Sequence, residues 1–402
     1  MEAVLVSRQI PVWQDRRAIA LLMAASLTTM ANATIAPALP GLERLFANDP
    51  NAALLTRLLV PAPSLSVAVL APLAGLAADR FGRRRLLLVG VILFVLSGCA
   101  GLVLPDLPAI FASRLVLGVA VALIMTAQTA LIGDYFTGDD RNALTGLQIS
   151  ARNLGGLVFI LTAGWAATLS PRLPFAIYGL AAAFLPLMWL VITDPPRPSS
   201  AGGAQPAGDR GDDSPWRLSL ALLVLLQGTT NMIFFIMPTQ LSFFLDARGH
   251  DSAIMTGAAL GVLMLSGGGF ALLYSRIQRA VGYAGIFALG YGAMALGFLL
   301  LLIAATTPAI FAAVAAIGAG YALVSPSFVA LALTLAPTRK RGLAGGILTA
   351  SIFIGQFCSP LLSTPVIAGF GYANLFGITS ALLTIMTVTA ALTGAADRLR
   401  RR

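Results

Sequence analysis

Twelve apolar runs, each long enough to cross a hydrocarbon layer, dominate this chain of 402 residues. A layer about 30 Å thick needs about 20 residues of helix. Runs of that kind fall at 17–39, 53–77, 85–104, 108–133, 143–168, 174–193, 216–240, 253–274, 283–304, 308–335, 343–368 and 372–394. Only 10% of the residues are charged, against about 25% in ordinary soluble domains. A water-soluble globule has too little interior to hide 58% hydrophobic residues, because much of any domain must face solvent. Two cysteines, Cys99 and Cys358, both inside apolar runs, do not make a disulfide scaffold. The expected fold class is an all-α membrane protein with twelve transmembrane helices, since helices satisfy their own backbone groups in lipid.

The net charge of +10 would point to nucleic acid in a soluble protein. Here its placement gives it another meaning. Twenty of the 26 basic residues fall on the side of the chain ends, and three, Arg44, Arg172 and Arg248, on the other. Arg57, Arg114 and Arg152 lie within the apolar runs. By the positive-inside rule both termini are expected in the cytoplasm, and nucleic acid is not an expected partner. Arg16-Arg17 followed by an apolar stretch and Ala31-Asn32-Ala33 imitates a cleavable secretory signal. Cleavage would leave eleven spans and break the charge pattern, so this segment reads as a retained first helix. All but one of the basic residues are Arg, which hints at a GC-rich bacterial genome and hence a bacterial inner membrane.

The longest polar stretch, 194–215, is rich in Pro, Gly, Ser and charge and has no core-forming residues. It divides the chain into residues 1–193, a linker, and residues 216–402, with six spans on each side. Equal halves imply an internal duplication and two pseudo-symmetric six-helix bundles around a central site.

Between the second and third spans stands Gly75-Leu76-Ala77-Ala78-Asp79-Arg80-Phe81-Gly82-Arg83-Arg84-Arg85. This string resembles the G-x-x-x-D-R-x-G-R-R/K loop of the major facilitator superfamily, and it falls where that family places it. The resemblance extends to the twelve-span bacterial drug/proton antiporter branch through Arg114-Leu115-Val116-Leu117-Gly118 and Gly355-Gln356-Phe357-Cys358-Ser359-Pro360. It implies a proton-coupled secondary transporter with no cofactor, working by alternating access. In chemical terms Gly75 allows helices to approach and Gly82 allows a tight turn. Asp79 needs positive partners at a membrane corner. Asp79, Arg80, Arg83, Asp134 and Arg141 are expected to form a gating latch near the start of span eleven when the far side is open. The second half has a degenerate copy, Tyr274-Ser275-Arg276-Ile277-Gln278-Arg279, in which Ser275 is read at the acid's place.

The chain departs from the antiporter pattern in having no Asp or Glu within a span interior. Asn32 and Thr34 occupy the region of span one where an acid would be expected. The Gly-Pro element of span five is absent, and the chain reads Gly155-Gly156-Leu157-Val158-Phe159. Two arginines lie deep instead. Arg152 is about 15 Å inside span five, with Gln148 one turn away on the same face. An Arg at a helix centre costs about 2.5–3.5 kcal/mol, so Arg114 and Arg152 need a wet cavity, a counter-anion or backbone carbonyls. Either they hydrogen-bond carbonyls, or they attract an anionic group of a substrate. Asn32, Gln128, Gln227, Asn231, Tyr321 and Gln356 are further candidates for the cavity wall, each equally able to make a helix–helix hydrogen bond. Gln227-Gly228-Thr229-Thr230-Asn231 reads as an unwound stretch, and Pro63, Pro238, Pro326 and Pro360 as kinks. His250, the only histidine, stands in a loop without clustered ligands, so no metal is expected.

The expected function is export of a small organic molecule, either a drug or an anionic metabolite such as a carboxylate-bearing siderophore. The expected setting is a monomer in a lipid bilayer, with protons as coupling ion. Organic-anion uptake or exchange is the alternative. No nucleotide loop or nucleophile elbow is present, which leaves a membrane enzyme remote. Asp79→Asn should abolish transport while leaving insertion intact, as read by proteoliposome flux and membrane fractionation. Full flux from that variant would remove the latch.

Overall fold

A computed structural model describes residues 12–194, 216–250, 252–304, 306–337 and 340–400, all helix, turn or loop, with no strand. Apart from Asp194, the linker expected at 194–215 lies outside the described residues. The helices in chain order are α1 (Arg16–Ala33), α2 (Leu39–Leu45), α3 (Ala52–Leu58), α4 (Ala62–Phe81), α5 (Arg83–Cys99), α6 (Leu107–Tyr135) and α7 (Gly138–Leu169). They continue with α8 (Pro174–Ile177), α9 (Leu185–Val191), α10 (Trp216–Phe234), α11 (Ile236–Ala247), α12 (Ser252–Ile303), α13 (Thr307–Leu335) and α14 (Arg341–Arg400). A helix start is capped where the chain re-enters after a loop: Asp15 accepts from the Arg17 amide and Asp106 from the Ala109 amide.

Several crossings are composite. α1 and α2 together form one apolar unit from Arg16 to Leu45, and α10 and α11 another from Trp216 to Ala247. α3 and α4 are bent by 51° at a short break. α12 and α14 contain 52 and 60 residues, which as straight rods would measure about 78 and 90 Å. Each is broken by a glycine with positive φ, Gly282 at 73° and Gly371 at 79°. Division at those two glycines, with the bent pair taken as one, gives twelve crossings among the described residues. The outward faces carry large apolar side chains such as Leu272 (81% exposed) and Phe370 (70%), while Ala, Gly and Ser recur at the helix contacts. That inside-out pattern suits a lipid solvent, where packing of small residues rather than water exclusion joins helices.

The close contacts repeat at a constant offset of 200 residues. A β-carbon at Gly118 would stand 2.3 Å from the Pro63 carbonyl oxygen, and one at Gly318 would stand 2.3 Å from the Leu263 carbonyl oxygen. Gly90 is pressed against Ile124 and Ala120, and Gly290 against Val324 and Gly320. Gly155 faces Ser26, and Gly355 lies on the Gly228 backbone. Positive φ recurs at Gly82 (91°) and Gly282 (73°). Contacting glycines and most of their partners are thus duplicated, a symmetry carried by backbone proximity and largely invisible in side-chain identity. This register corrects the reading of the second loop. Asp79 stands three residues before Gly82, so its counterpart three residues before Gly282 is Arg279, and Ser275 corresponds to Gly75.

Three other local expectations change. Gln227–Asn231 is regular helix: the Gly228 backbone is where Gly355 of α14 packs, and the break comes later, at Phe235. Pro63 and Pro238 sit in the first turns of α4 and α11, where a missing N–H costs nothing. Only Pro326 and Pro360 of the four expected kinks lie inside helices. Arg57 belongs to the short rim helix α3, outside the long apolar helix α4.

Gly355→Val should lower the melting temperature sharply or abolish a monodisperse species, since overpacking costs about 1–3 kcal/mol and the opposing atom is backbone. Gly369→Ala, where nothing lies within 4 Å, should leave it unchanged. Equal melting curves for both in size-exclusion-coupled thermal assays would refute the crossing.

Candidate functional site

Two cavities lie between the N-terminal helices and the C-terminal ones. The larger, about 440 Å³, is lined from α1, α7, α10 to α13, with Thr28, Thr29, Asn32, Asn153, Phe234, Phe235, Met264, Tyr321 and Ser325 among its walls. The smaller, about 320 Å³, is lined from α1, α4, α6, α7 and α14, and holds Asn32, Ser64, Met125, Arg152, Thr349 and Gln356. Thr28 and Asn32 line both, so the two spaces adjoin along α1. No acidic residue lines either cavity among the described residues.

The predicted site residues divide. Arg152, Asn32 and Gln356 come together around the smaller cavity, and Tyr321 faces the larger one. Asn231 is fully buried behind Tyr321: its Oδ1 accepts from the Tyr321 hydroxyl at 2.8 Å, and its amide donates to the Gln227 carbonyl. Gln148 lines neither cavity. Gln227 and Gln128 are buried between helices, Gln128 donating to the Leu21 carbonyl at 2.7 Å. Asn153, Phe234 and Thr28 went unnoticed in the sequence. Asn153, five residues after Gln148, points about 140° away from it around the helix, and the tight stacking of Phe234 on Tyr321, with centroids 3.8 Å apart, joins two helices that no spacing connects.

Arg114 is corrected as a cavity residue. It is 0% exposed and lines neither cavity. Its guanidinium donates to the Ala31 carbonyl at 2.5 Å, the Leu59 carbonyl at 3.3 Å and the Tyr178 hydroxyl at 2.8 Å, and it lies over the Tyr178 ring. Those two carbonyls stand at the ends of α1 and α3, where helices leave acceptors unpaired. One helical turn on, Gly118 lets α6 touch the Pro63 carbonyl. Arg114 and Gly118 thus seat α6 against the break between α3 and α4.

At the side of the chain ends, Arg83 pairs with Asp134 within the N-terminal half. Arg80 lies over Phe81, and Arg141 reaches Gly133 on α6. The side chain of Asp79 lies outside the described residues. Gly82 is required by its φ of 91°, and a β-carbon there would also stand 2.8 Å from an Asp194 carboxylate oxygen and displace it. That carboxylate accepts from the Arg84 amide at 2.8 Å and caps α5. Gly75, expected to allow close helix approach, has nothing within 4 Å of a β-carbon, and the same holds for Gly342, Gly345 and Gly346 at the start of α14. Among the described residues, no atom of the other half comes within 4 Å of a β-carbon at these glycines.

On the opposite side the halves are joined. Arg44 pairs with Asp246 across the halves at 3.1 Å. Arg57, 11% exposed, pairs with Glu43 at 2.8 Å, donates to the Gln240 oxygen at 3.3 Å and covers the Phe243 ring at 3.8 Å. Ser64 donates to the Gln356 oxygen at 2.7 Å, and Gly164 on α7 lies against Gly257 on α12. Complementary charges in the loops after spans one and seven, Arg44 and Asp246, were the sequence signal for this clasp.

Residues 21–338 match the family described as Major Facilitator Superfamily. The chain is 28% identical over 148 residues to the quinolone resistance protein NorA of Staphylococcus aureus, covering 37% of this chain and 38% of that one. It is 26% identical over 306 residues to multidrug resistance protein 1 of Bacillus subtilis, covering 73% and 76%. Among solved structures it superposes on a D-xylose-proton symporter with a TM-score of 0.76 at 18% identity over 93% of this chain and 96% of the other. The human organic anion transporter MFSD10 gives 0.71 at 19% identity over 95% and 100%. At such identities the superpositions establish the fold.

Removing the clasp by Arg57→Gln with Asp246→Asn should open the far side. In a cysteine-free background, spin labels at Asn51 and His250 should gain a longer-distance population in electron–electron resonance. An unchanged distance distribution would show that the apolar contacts alone hold this side shut.

Proposed function

Because the chain belongs to the major facilitator superfamily, we propose that it is a secondary active transporter, exporting a small organic molecule by alternating access. The observation that carries this is the central space between the halves, clasped on one side by Arg44–Asp246 and Arg57–Gln240 and parted on the other at Gly75 and Gly342. A carrier needs that combination: a site at mid-membrane and one barrier at a time.

The basic side, which carries both chain ends, is assigned to the cytoplasm, and the membrane to the inner membrane of a bacterium. The arrangement is then inward-facing, ready to load from the cell interior. Residues 1–193 and 216–402 act as two rocking bundles joined by the linker, and the duplication at 200 residues supports that division. A monomer suffices, since both bundles come from one chain. The quinolone and multidrug resistance relatives favour a drug or drug-sized metabolite as cargo, and protons as coupling ion accord with the antiporter-like sequence motifs. With no acid lining the cavities, the counter-moving proton of an exporter has to pass along water, whereas a proton carried on the substrate itself would travel with it and fits uptake. Organic-anion uptake or exchange is the second reading, favoured by Arg152 in the smaller cavity.

In proteoliposomes, labelled quinolone should enter faster when unlabelled quinolone is inside, and an acid interior should drive its accumulation. Trans-stimulation without any response to the pH gradient would favour exchange over proton-coupled export. Flux without trans-stimulation would point to a channel and end the carrier reading.

A further inference from the structure

The two cavities differ in what they offer a ligand. Both fall in or near the range of about 300–1,000 Å³ typical of small-molecule sites. The larger presents Phe234 and Tyr321 stacked at 3.8 Å, with Met264 and aliphatic walls. Tyr321 spends its hydroxyl on Asn231, so it offers the cavity its ring and not a donor. That chamber suits a flat apolar body, which gains from ring stacking beyond burial alone.

The smaller chamber is rich in donors. The Nε of Arg152 is buried with no hydrogen-bond partner, and no carboxylate lines the space. The oxygen of Gln356 is taken by Ser64, which leaves its amide N–H groups as what it can offer. A guanidinium in an apolar membrane interior calls for an anion in fork geometry, whereas a cation there would be repelled. Where the chambers adjoin, Asn32 has a buried Oδ1 that accepts from nothing. Such an acceptor is costly until a donor reaches it.

We propose that the site takes an amphipathic organic anion, with its planar apolar body against Phe234 and Tyr321 and its carboxylate or sulfonate on Arg152 and Gln356. A hydroxyl or N–H beside the anionic group donates to Asn32. This rests on the carrier reading above and specifies its cargo. Arg152 and Asn32 set the charge and hydrogen-bond specificity, and the aromatic pair supplies affinity that is indifferent to charge. Cationic drugs of the same size are disfavoured by the Arg152 guanidinium, which no carboxylate in the chamber offsets.

The test uses purified full-length protein and three probes: 3-hydroxy-2-naphthoate, its methyl ester, and 3-methoxy-2-naphthoate. Calorimetric titration should find the hydroxy acid at least tenfold tighter than the ester and severalfold tighter than the methoxy acid. Arg152→Gln should erase the acid-over-ester preference, Arg152→Lys should keep part of it, and Phe234→Ala should weaken acid and ester by similar factors. Asn32→Ala should erase only the hydroxy-over-methoxy preference. Each variant is first checked for a monodisperse profile and a wild-type melting temperature. Equal binding of acid and ester by the unaltered protein would overturn the proposal, as would an Arg152→Gln variant that loses both alike. The two readings fail separately: quinolone counterflow without acid preference sinks the anion site and spares the carrier, whereas acid-selective binding without counterflow of any probe sinks the carrier and spares the site.

Discussion

Close approach of helix backbones is the constraint on which the rest of this structure depends. In lipid, apolar side chains gain little by touching one another instead of acyl chains, so helices associate where small residues let backbones meet and where polar groups find partners. Gly118 on the Pro63 carbonyl, Gly318 on the Leu263 carbonyl and Gly355 on Gly228 are such meetings. They fix how each half packs, and their repetition at 200 residues makes the halves alike although few side chains agree. The contact between Gly164 and Gly257 joins one half to the other on the clasped side.

The two deep arginines show how the same side chain acquires opposite roles. Arg114 is surrounded by acceptors: two helix-end carbonyls and a tyrosine hydroxyl. These engage its Nε and Nη2, leaving Nη1 unpartnered, and make it part of the scaffold. Arg152 lies on the next long helix, further from the clasped side, where its buried Nε finds no acceptor, and it faces the space between the halves. The difference arises from where helices break. α1 and α3 end beside Arg114 and present carbonyls to it, whereas no hydrogen-bond acceptor reaches the Nε of Arg152.

Charge is distributed to suit a protein with two barriers. On the clasped side three charged or polar links cross between halves, at Arg44–Asp246, Arg57–Gln240 and Ser64–Gln356. Pairs of this kind at a wet rim contribute little each, which suits a contact that must open repeatedly. On the parted side Arg83 pairs with Asp134 and the Arg84 amide with Asp194, both within the N-terminal half. The basic loop therefore holds its own shape without help from the other half.

Much of this was legible in the sequence, because a bilayer makes coarse demands that composition and spacing answer directly. Apolar runs of about 20 residues specify crossings, loop arginines specify a side, and the Gly75–Arg85 string identifies the family. Gly82 was readable as a turn because positive φ excludes most other residues. What only tertiary structure decided was partnership. Arg114 could be separated from Arg152 only by seeing which carbonyls were free, and the acid's counterpart in the second half, Arg279, only by aligning Gly82 with Gly282. Phe234 and Tyr321, or Arg57 and Gln240, lie about 90 and 180 residues apart and meet through helix crossings that no local periodicity encodes. One-dimensional pattern records how a helix meets its solvent; which helix it meets is settled by shape, where small residues allow two backbones to touch.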